Sequence, residues 1–433
     1  RSNKMKNYNF DNNPDLKKHA EITRKSASEG MVLLKNEEML PLKNVKTIAL
    51  IGATSFDFIS GGTGSGDVEE AYTVSLEEAL KNSDFEINQV SLNIFNSHFQ
   101  SNNSDFKKYE GVIGTLMGML NPYSPPEINY SVESIKKIAN SSDIAIITIG
   151  RNSGEGSDRV EIDDFLLSEK EIHMIKTTSE EFRSLGKKIV VVLNIGGTIE
   201  TDSWKKYADS ILLAWQGGQE GGNSVIDILT GKVNPSGKLP MTFPLNLFDH
   251  ASSSNFPMDG DPLDIRSFFI RNNDKPKEEQ VKNKDYTNYE EGIYVGYRHF
   301  DKESLKVSYP FGYGLSYTKF EYRDLKLEKS NDVINLSFKI KNTGDYKGKE
   351  VVQIYVSKIN SSIDRPLKEL KAFSKTRYLI QDETLELDFS IPISDLSYWS
   401  EENKTWEFES GSYSFEIGSS SRDIMLNQII DIK

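Results

Sequence analysis

Ile144-Ala145-Ile146-Ile147-Thr148-Ile149-Gly150 runs straight into Arg151-Asn152-Ser153-Gly154-Glu155-Gly156-Ser157-Asp158-Arg159. The apolar run is short and ends on glycine, which predicts a strand buried on both faces. The same pattern recurs at 47–52, and short apolar runs recur at 189–194 and 211–215. Helices are expected over 75–82, near 168–185 and over 223–229. The middle one opens with Ser168-Glu169-Lys170-Glu171, the spacing of a capping box. Toward the N-terminus, 19–25 leads into Met31-Val32-Leu33-Leu34-Lys35-Asn36 in a helix-like pattern that Pro41 breaks. Strand, loop and helix in repetition describe a mostly parallel sheet with helices on both faces. In such sheets ligands sit beyond the carboxyl ends of the strands, so the loops after Ile51, Ile149, Leu193 and Trp215 are where chemistry is sought.

The texture changes after Phe243-Pro244. Residues 245–288 are polar and lack periodicity, as a long surface excursion would. From 319 onward the pattern alternates, as in Ile334-Asn335-Leu336-Ser337-Phe338-Lys339-Ile340 and Leu385-Glu386-Leu387-Asp388-Phe389-Ser390-Ile391. Such short strands predict an antiparallel β-sandwich. The expected organisation is an α/β domain with an N-terminal linker over 1–244, a long loop or linker over 245–318, and a β-sandwich over 319–433.

Composition narrows the function. The 433 residues carry 65 acidic against 52 basic side chains, a formal charge of −13. That balance repels phosphate backbones and anionic bilayers, so neither nucleic acid nor membrane is an expected partner. No apolar run approaches the length of a spanning helix. Cysteine is absent, which removes disulfides, thiol nucleophiles and Cys-ligated zinc. The five histidines are scattered with no His-x-x-x-His pair, so no metal site and no cofactor is expected. The chain opens Arg1-Ser2-Asn3-Lys4, with neither an initiator methionine nor an apolar leader; a piece of a longer polypeptide is the expectation, and localisation, cytoplasmic or secreted, stays open.

Glu155 stands between two glycines just past the first-quoted strand. It reads either as a solvated loop carboxylate or as a general acid/base at the mouth of a cleft. The loop Ser60-Gly61-Gly62-Thr63-Gly64-Ser65-Gly66-Asp67 fits neither the P-loop nor the dinucleotide fingerprint. Its hydroxyls, on Thr63 and Ser65, suit close approach to a neutral polyol. Phe95, Phe99, Phe106, Tyr109 and Tyr123 could stack on sugar faces or pack a long insertion. Asp158 and Arg159 read as an ion pair that fixes the loop. Tyr294, Tyr297, Tyr313 and Tyr317 read as anchors between the two domains.

Taken together, these motifs resemble glycoside hydrolase family 3, the β-glucosidase and β-xylosidase group. The resemblance runs through Ala27-Ser28-Glu29-Gly30-Met31-Val32-Leu33-Leu34-Lys35-Asn36, the glycine loop and Ser153-Gly154-Glu155-Gly156-Ser157-Asp158-Arg159. It continues through Asn234-Pro235-Ser236-Gly237-Lys238-Leu239-Pro240, Pro310-Phe311-Gly312-Tyr313-Gly314-Leu315-Ser316-Tyr317, Gly348-Lys349-Glu350-Val351-Val352-Gln353 and Arg365-Pro366-Leu367-Lys368-Glu369-Leu370. It implies an α/β sandwich followed by a fibronectin type III-like domain, and a preceding (β/α)8 barrel that supplies the nucleophilic aspartate. By resemblance Glu155 falls on the general acid/base, and Ser65 on a serine that contacts substrate. The near match Thr201-Asp202-Ser203-Trp204 sits in a different motif and is not taken as the nucleophile.

The expected activity is the acid/base half of a retaining, exo-acting β-glycosidase. It would act on a β-glycoside or oligosaccharide and would be inactive without its barrel. The open alternative is a non-catalytic carbohydrate-binding or interaction module. A half-enzyme should carry an apolar docking face, expected to include residues 16–34. Sugar identity, linkage and any homo-oligomer stay open.

Overall fold

Alternation along each short apolar run decides which side of the sheet a residue faces. A computed structural model describes residues 13–63, 66, 68, 70–106, 123–152, 159–253, 255, 276–279, 282 and 286–433. Strands β1 (Val32–Asn36), β2 (Thr47–Ile51), β3 (Glu86–Ile87), β4 (Ile144–Arg151), β5 (Ile189–Ile195) and β6 (Ser210–Leu213) form one sheet in the order β1-β6-β5-β4-β2-β3. All pairings are parallel except β1 with β6.

Two apolar layers follow from the alternation. Ala49, Ile51, Ala145, Ile147, Val191 and Leu193 face one layer, with Ile135, Ile138, Met174, Ile175 and Phe182. Those partners lie on α4 (Val132–Asn140) and α5 (Glu169–Ser184), and α3 (Gln89–Ser101) adds Val90, Ile94 and Phe95 at the rim. Ile48, Leu50, Ile144, Ile146, Val190 and Val192 face the other layer, with Leu76 and Leu80 of α2 (Leu76–Lys81) and Val225, Ile228 and Leu229 of α6 (Gly221–Leu229). The expected capping box is formed: the Ser168 hydroxyl accepts from Glu171 N, and Glu171 Oε2 accepts from Ser168 N at 2.8 Å.

The N-terminal expectation is corrected. Helix α1 (Leu16–Gly30) stops at Gly30, and the next residues enter the sheet as β1. Met31, Val32, Leu33 and Leu34 are each at most 1% exposed. Four consecutive apolar residues would wrap around a helix, leaving some in water, whereas a strand between two helical layers buries them all. Helix α1 itself lies outside: Leu16 and Ile22 are half exposed.

Beyond β6, β7 (Phe243–Pro244) pairs with β8 (Val307–Tyr309), and between them α7 (Tyr297–Lys302) buries Phe300. The C-terminal part is a sandwich of antiparallel sheets. One holds β9 (Phe320–Ser330), β10 (Val333–Asn342) and β13 (Thr384–Pro392). The other holds β11 (Val351–Lys358), β12 (Glu369–Lys375), β16 (Gly411–Ser420) and β17 (Asp423–Ile432). A small hairpin, β14 (Tyr398–Ser400) with β15 (Thr405–Glu407), lies apart. The alternation read from sequence is realised in β10, where Ile334, Leu336, Phe338 and Ile340 enter the core between the sheets.

Polar side chains join the two parts. Asn234 Oδ1 accepts from Ser316 Oγ and Tyr317 N, while its Nδ2 donates to the Lys347 carbonyl at 3.0 Å. Tyr297, in the segment between the two parts, ties that segment to the sandwich: its hydroxyl accepts from Leu370 N at 2.8 Å and its ring packs on Phe311 and Tyr355. Glu29 receives Lys349 and, at 2.6 Å, Lys375. Burial alone would raise the Glu29 carboxyl, but the two ammonium groups outweigh it and hold it below its ordinary value. A depressed acid contributes stability that is present above its unfolded pKa and is lost as pH falls through the folded one. The sandwich is therefore expected to loosen from the α/β part below about pH 4.5. Calorimetry at neutral and acid pH checks this; if Glu29→Gln melts with the same acid-induced change as the parent, the docking role is wrong.

Candidate active site

The carboxyl ends of β2, β4, β5 and β6 meet where parallel-sheet proteins place their ligands. Gly52 ends β2 with φ +93, and a Cβ there would lie 2.3 Å from the Thr148 carbonyl oxygen, so only glycine fits. The chain beyond it folds across to β5: the Asn194 amide accepts from Ile59 N at 2.7 Å and donates to the Ile59 and Trp215 carbonyls. One buried asparagine thus fastens the loops after β2 and β6 to the end of β5. Of the glycine-loop candidates, Thr63 is half-buried and its carbonyl accepts from Gly66 N at 3.3 Å. Ser65 lies outside the described residues.

Glu155 and Asp158 also lie outside the described residues, but both flanks of their loop are built firmly. Arg151, the last residue of β4, is 9% exposed. Its guanidinium grips Glu171 through two bonds, Nη1 to Oε1 at 2.6 Å and Nη2 to Oε2 at 2.8 Å. Its Nε donates to the Asp164 carbonyl at 2.8 Å, so one side chain ties the loop's departure to its return. Asn152 donates to the Tyr123 carbonyl and accepts from Gln216. Arg159 donates to Asp164 Oδ2 at 2.5 Å.

Behind this clamp, Glu127 Oε1 accepts from Ala53 N at 3.0 Å and Ile128 N at 2.8 Å. Burial, opposed by Ile128 N–H and reinforced by the charge of Glu171, pushes its carboxyl up to about 7. A raised acid binds a proton in the folded state that the unfolded chain has released. Its effect on stability is therefore unfavourable and grows as pH rises from about 4.5 to about 7. Glu127→Gln is expected to melt higher than the parent at pH above 7, with the difference shrinking on acidification; a pH-independent difference in melting temperature would contradict this.

The remaining candidates resolve toward packing. Phe95 stacks on Phe56 with centroids 3.9 Å apart and contacts Phe99 and Phe106, while Tyr123 donates to Asp57 at 2.5 Å. Tyr109 lies outside the described residues. Asp202 is a surface group paired with Lys205 at 2.6 Å, beside a fully buried Trp204. Sequence reasoning passed over Arg151, Glu127 and Asn194. Arg151 did carry a signal, a lone cation closing an apolar strand, and Glu171 was visible only as a helix cap.

This architecture and these loops place the chain in a known class. It belongs to glycoside hydrolase family 3: the glycosyl hydrolase family 3 C-terminal domain matches residues 31–317 and a fibronectin type III-like domain matches 350–421. Among solved structures, beta-glucosidase 3B from Thermotoga neapolitana in complex with alpha-D-glucose superposes with a TM-score of 0.84 at 39% identity, covering 99% of this chain and 56% of that one. Beta-glucosidase A of Butyrivibrio fibrisolvens is 35% identical over 89% of this chain and 47% of its own length. Thermostable beta-glucosidase B of Acetivibrio thermocellus is 34% identical over 99% of this chain and 50% of its own. The chain spans about half the length of these relatives.

Proposed function

We propose that this chain is the acid/base-bearing part of a retaining, exo-acting β-glycosidase of the β-glucosidase kind, acting on terminal β-linked sugars. Glu155 is the general acid/base, and Ser65 and Thr63 contact the sugar. The observation that carries the reading is the loop of Glu155 itself. It leaves the carboxyl end of β4, has its departing flank fixed by the Arg151–Glu171 pair and its returning flank held by Arg151 on the Asp164 carbonyl, and belongs to a chain whose relatives include beta-glucosidases.

A retaining glycosidase needs two carboxyl groups about 5–5.5 Å apart across the anomeric centre. Glu155 protonates the departing oxygen, then as a carboxylate takes a proton from the incoming water. Its partner, a nucleophilic aspartate, comes from a (β/α)8 barrel, as the family resemblance implies. A neighbouring anion and an enclosed site raise a glutamate's pKa, and docking onto the barrel supplies both. The test is hydrolysis of an aryl β-glucoside by this chain with and without a barrel-bearing half. Turnover is expected only from the combination; a combination that binds glucoside without cleaving it would instead support the non-catalytic module.

A further inference from the structure

The strand Ile189-Val190-Val191-Val192-Leu193-Asn194-Ile195 carries one polar side chain, and that side chain is fully buried. An amide taken out of water costs free energy unless its hydrogen-bonding groups are met. Asn194 meets them on the backbone of two loops. Its Oδ1 accepts from Ile59 N at 2.7 Å, and its Nδ2 donates to the Ile59 carbonyl at 2.9 Å and to the Trp215 carbonyl at 2.8 Å. A leucine at this position would continue the apolar run but would take those partners from the backbone of both loops. We propose that Asn194 is a positioning residue for sugar binding: it sets the loop that carries Thr63 against the end of β6, and acts on the sugar only through that loop. The proposal rests on the reading of Thr63 as a sugar contact.

The neighbours of these bonds show why the amide does more than satisfy a core. Ile59 packs over the last glycine of β4: a Cβ on Gly150 would lie 3.2 Å from Ile59 Cδ1. In a close-packed interior a shift of Ile59 is therefore felt where β4 ends. The carbonyl of Ser60, the next residue, accepts from Gly218 N at 2.9 Å, so the loops after β2 and β6 are also joined directly.

Trp215 adds strain to this junction. Its φ is +56, in the left-handed region that a bulky side chain rarely enters. Its ring packs on the core of the sheet, and its carbonyl is the one that Asn194 holds. The turn leads to Gln216, whose Nε2 donates to Asn152 Oδ1 at 3.3 Å just past β4. Strained backbone persists only where its surroundings hold it, and such places cluster at ligand sites. Here the Asn194 amide is part of that hold. Three strand ends, those of β4, β5 and β6, are thus set against the loop after β2 through one side chain and its immediate partners.

The experiment uses the enzyme assembled with its barrel and reads glucose affinity by calorimetry, together with KM and kcat for an aryl β-glucoside. Asn194→Leu is expected to weaken glucose and raise KM about tenfold, with kcat within about twofold of the parent, the pattern of a lost ground-state contact. Thr63→Val should show a loss of the same size. The double variant should be no worse than either single one, because one residue acts through the other. Asn194→Asp keeps the size of the side chain. As a carboxylate it accepts from Ile59 N but donates to neither carbonyl, and once protonated it regains one donor. Its deficit in glucose affinity, relative to the parent at the same pH, should therefore shrink between about pH 8 and about pH 5. This variant carries the test if Asn194→Leu does not fold. Additive losses in the double variant overturn the proposal, as does an Asn194→Asp deficit that ignores pH. Folded variants that melt lower yet bind glucose as the parent does also overturn it, leaving Asn194 a structural residue, and so does a parent assembly that binds no glucose. The titrations repeated in a Glu155→Ala background separate the two readings: failure of the acid/base assignment leaves them unchanged, and failure of the Asn194 assignment leaves the turnover defect of Glu155→Ala in place.

Discussion

Glu155→Ala, made in the enzyme assembled with its barrel, is expected to lower turnover of an unactivated β-glucoside by roughly 10²–10⁴-fold, the usual worth of a positioned general acid/base. An aryl glucoside with a good leaving group should suffer far less in the first step, because it departs without a proton. Its second step is still slowed, since no base activates water, and added azide should bypass that step by attacking the glycosyl-enzyme directly. The product expected is a β-glycosyl azide, and the alkaline limb of the pH–rate profile should vanish with the carboxyl group. Unchanged turnover would remove Glu155 from the mechanism. Loss of turnover without azide rescue would leave it a substrate contact rather than an acid/base.

Arg151→Met should produce the largest loss of stability. The substitution leaves the Glu171 carboxylate, with its side chain 6% exposed, without the guanidinium that holds both its oxygens. Breaking a buried pair from one side costs about 3–5 kcal/mol, because the charge left behind is uncompensated. Denaturant titration should show a lower midpoint at unchanged slope. The double variant Arg151→Met/Glu171→Leu should recover much of the loss, although the Ser168 cap goes with Glu171. A single variant within about 0.5 kcal/mol of the parent would show that the pair is not what secures this part of the sheet.

Much of the α/β part was legible because burial on both faces leaves a plain trace. The runs at 144–149 and 189–194 have no other good solution, and Ser168-x-x-Glu171 marks a helix start by local chemistry alone. The misread segment, 31–36, shows the limit of that logic. Its residues are ordinary in a helix or a strand, and the choice is made by β6, some 180 residues away in sequence. No local pattern carries that information. At the site, glycines and the lone carboxylate were visible because they depart from local expectation. The network of Glu127, Arg151 and Asn194 was not, since its meaning comes from partners brought together by the fold. Glu127 meets Ala53 from 74 positions along the chain, and Asn194 meets Ile59 from 135.

The antiparallel pairing of β1 with β6 has a consequence for solubility. Without β1, the residues Ile211, Leu212 and Leu213 would line an open margin with unsatisfied backbone groups, the kind of surface that recruits strands from other molecules. The opposite margin is blunted by brevity, since β3 is only two residues long. The chain therefore guards its most aggregation-prone flank with a five-residue strap drawn from the other end of the domain. A cut between α1 and β2 that let this strap leave is expected to make the chain more prone to self-association than the intact one.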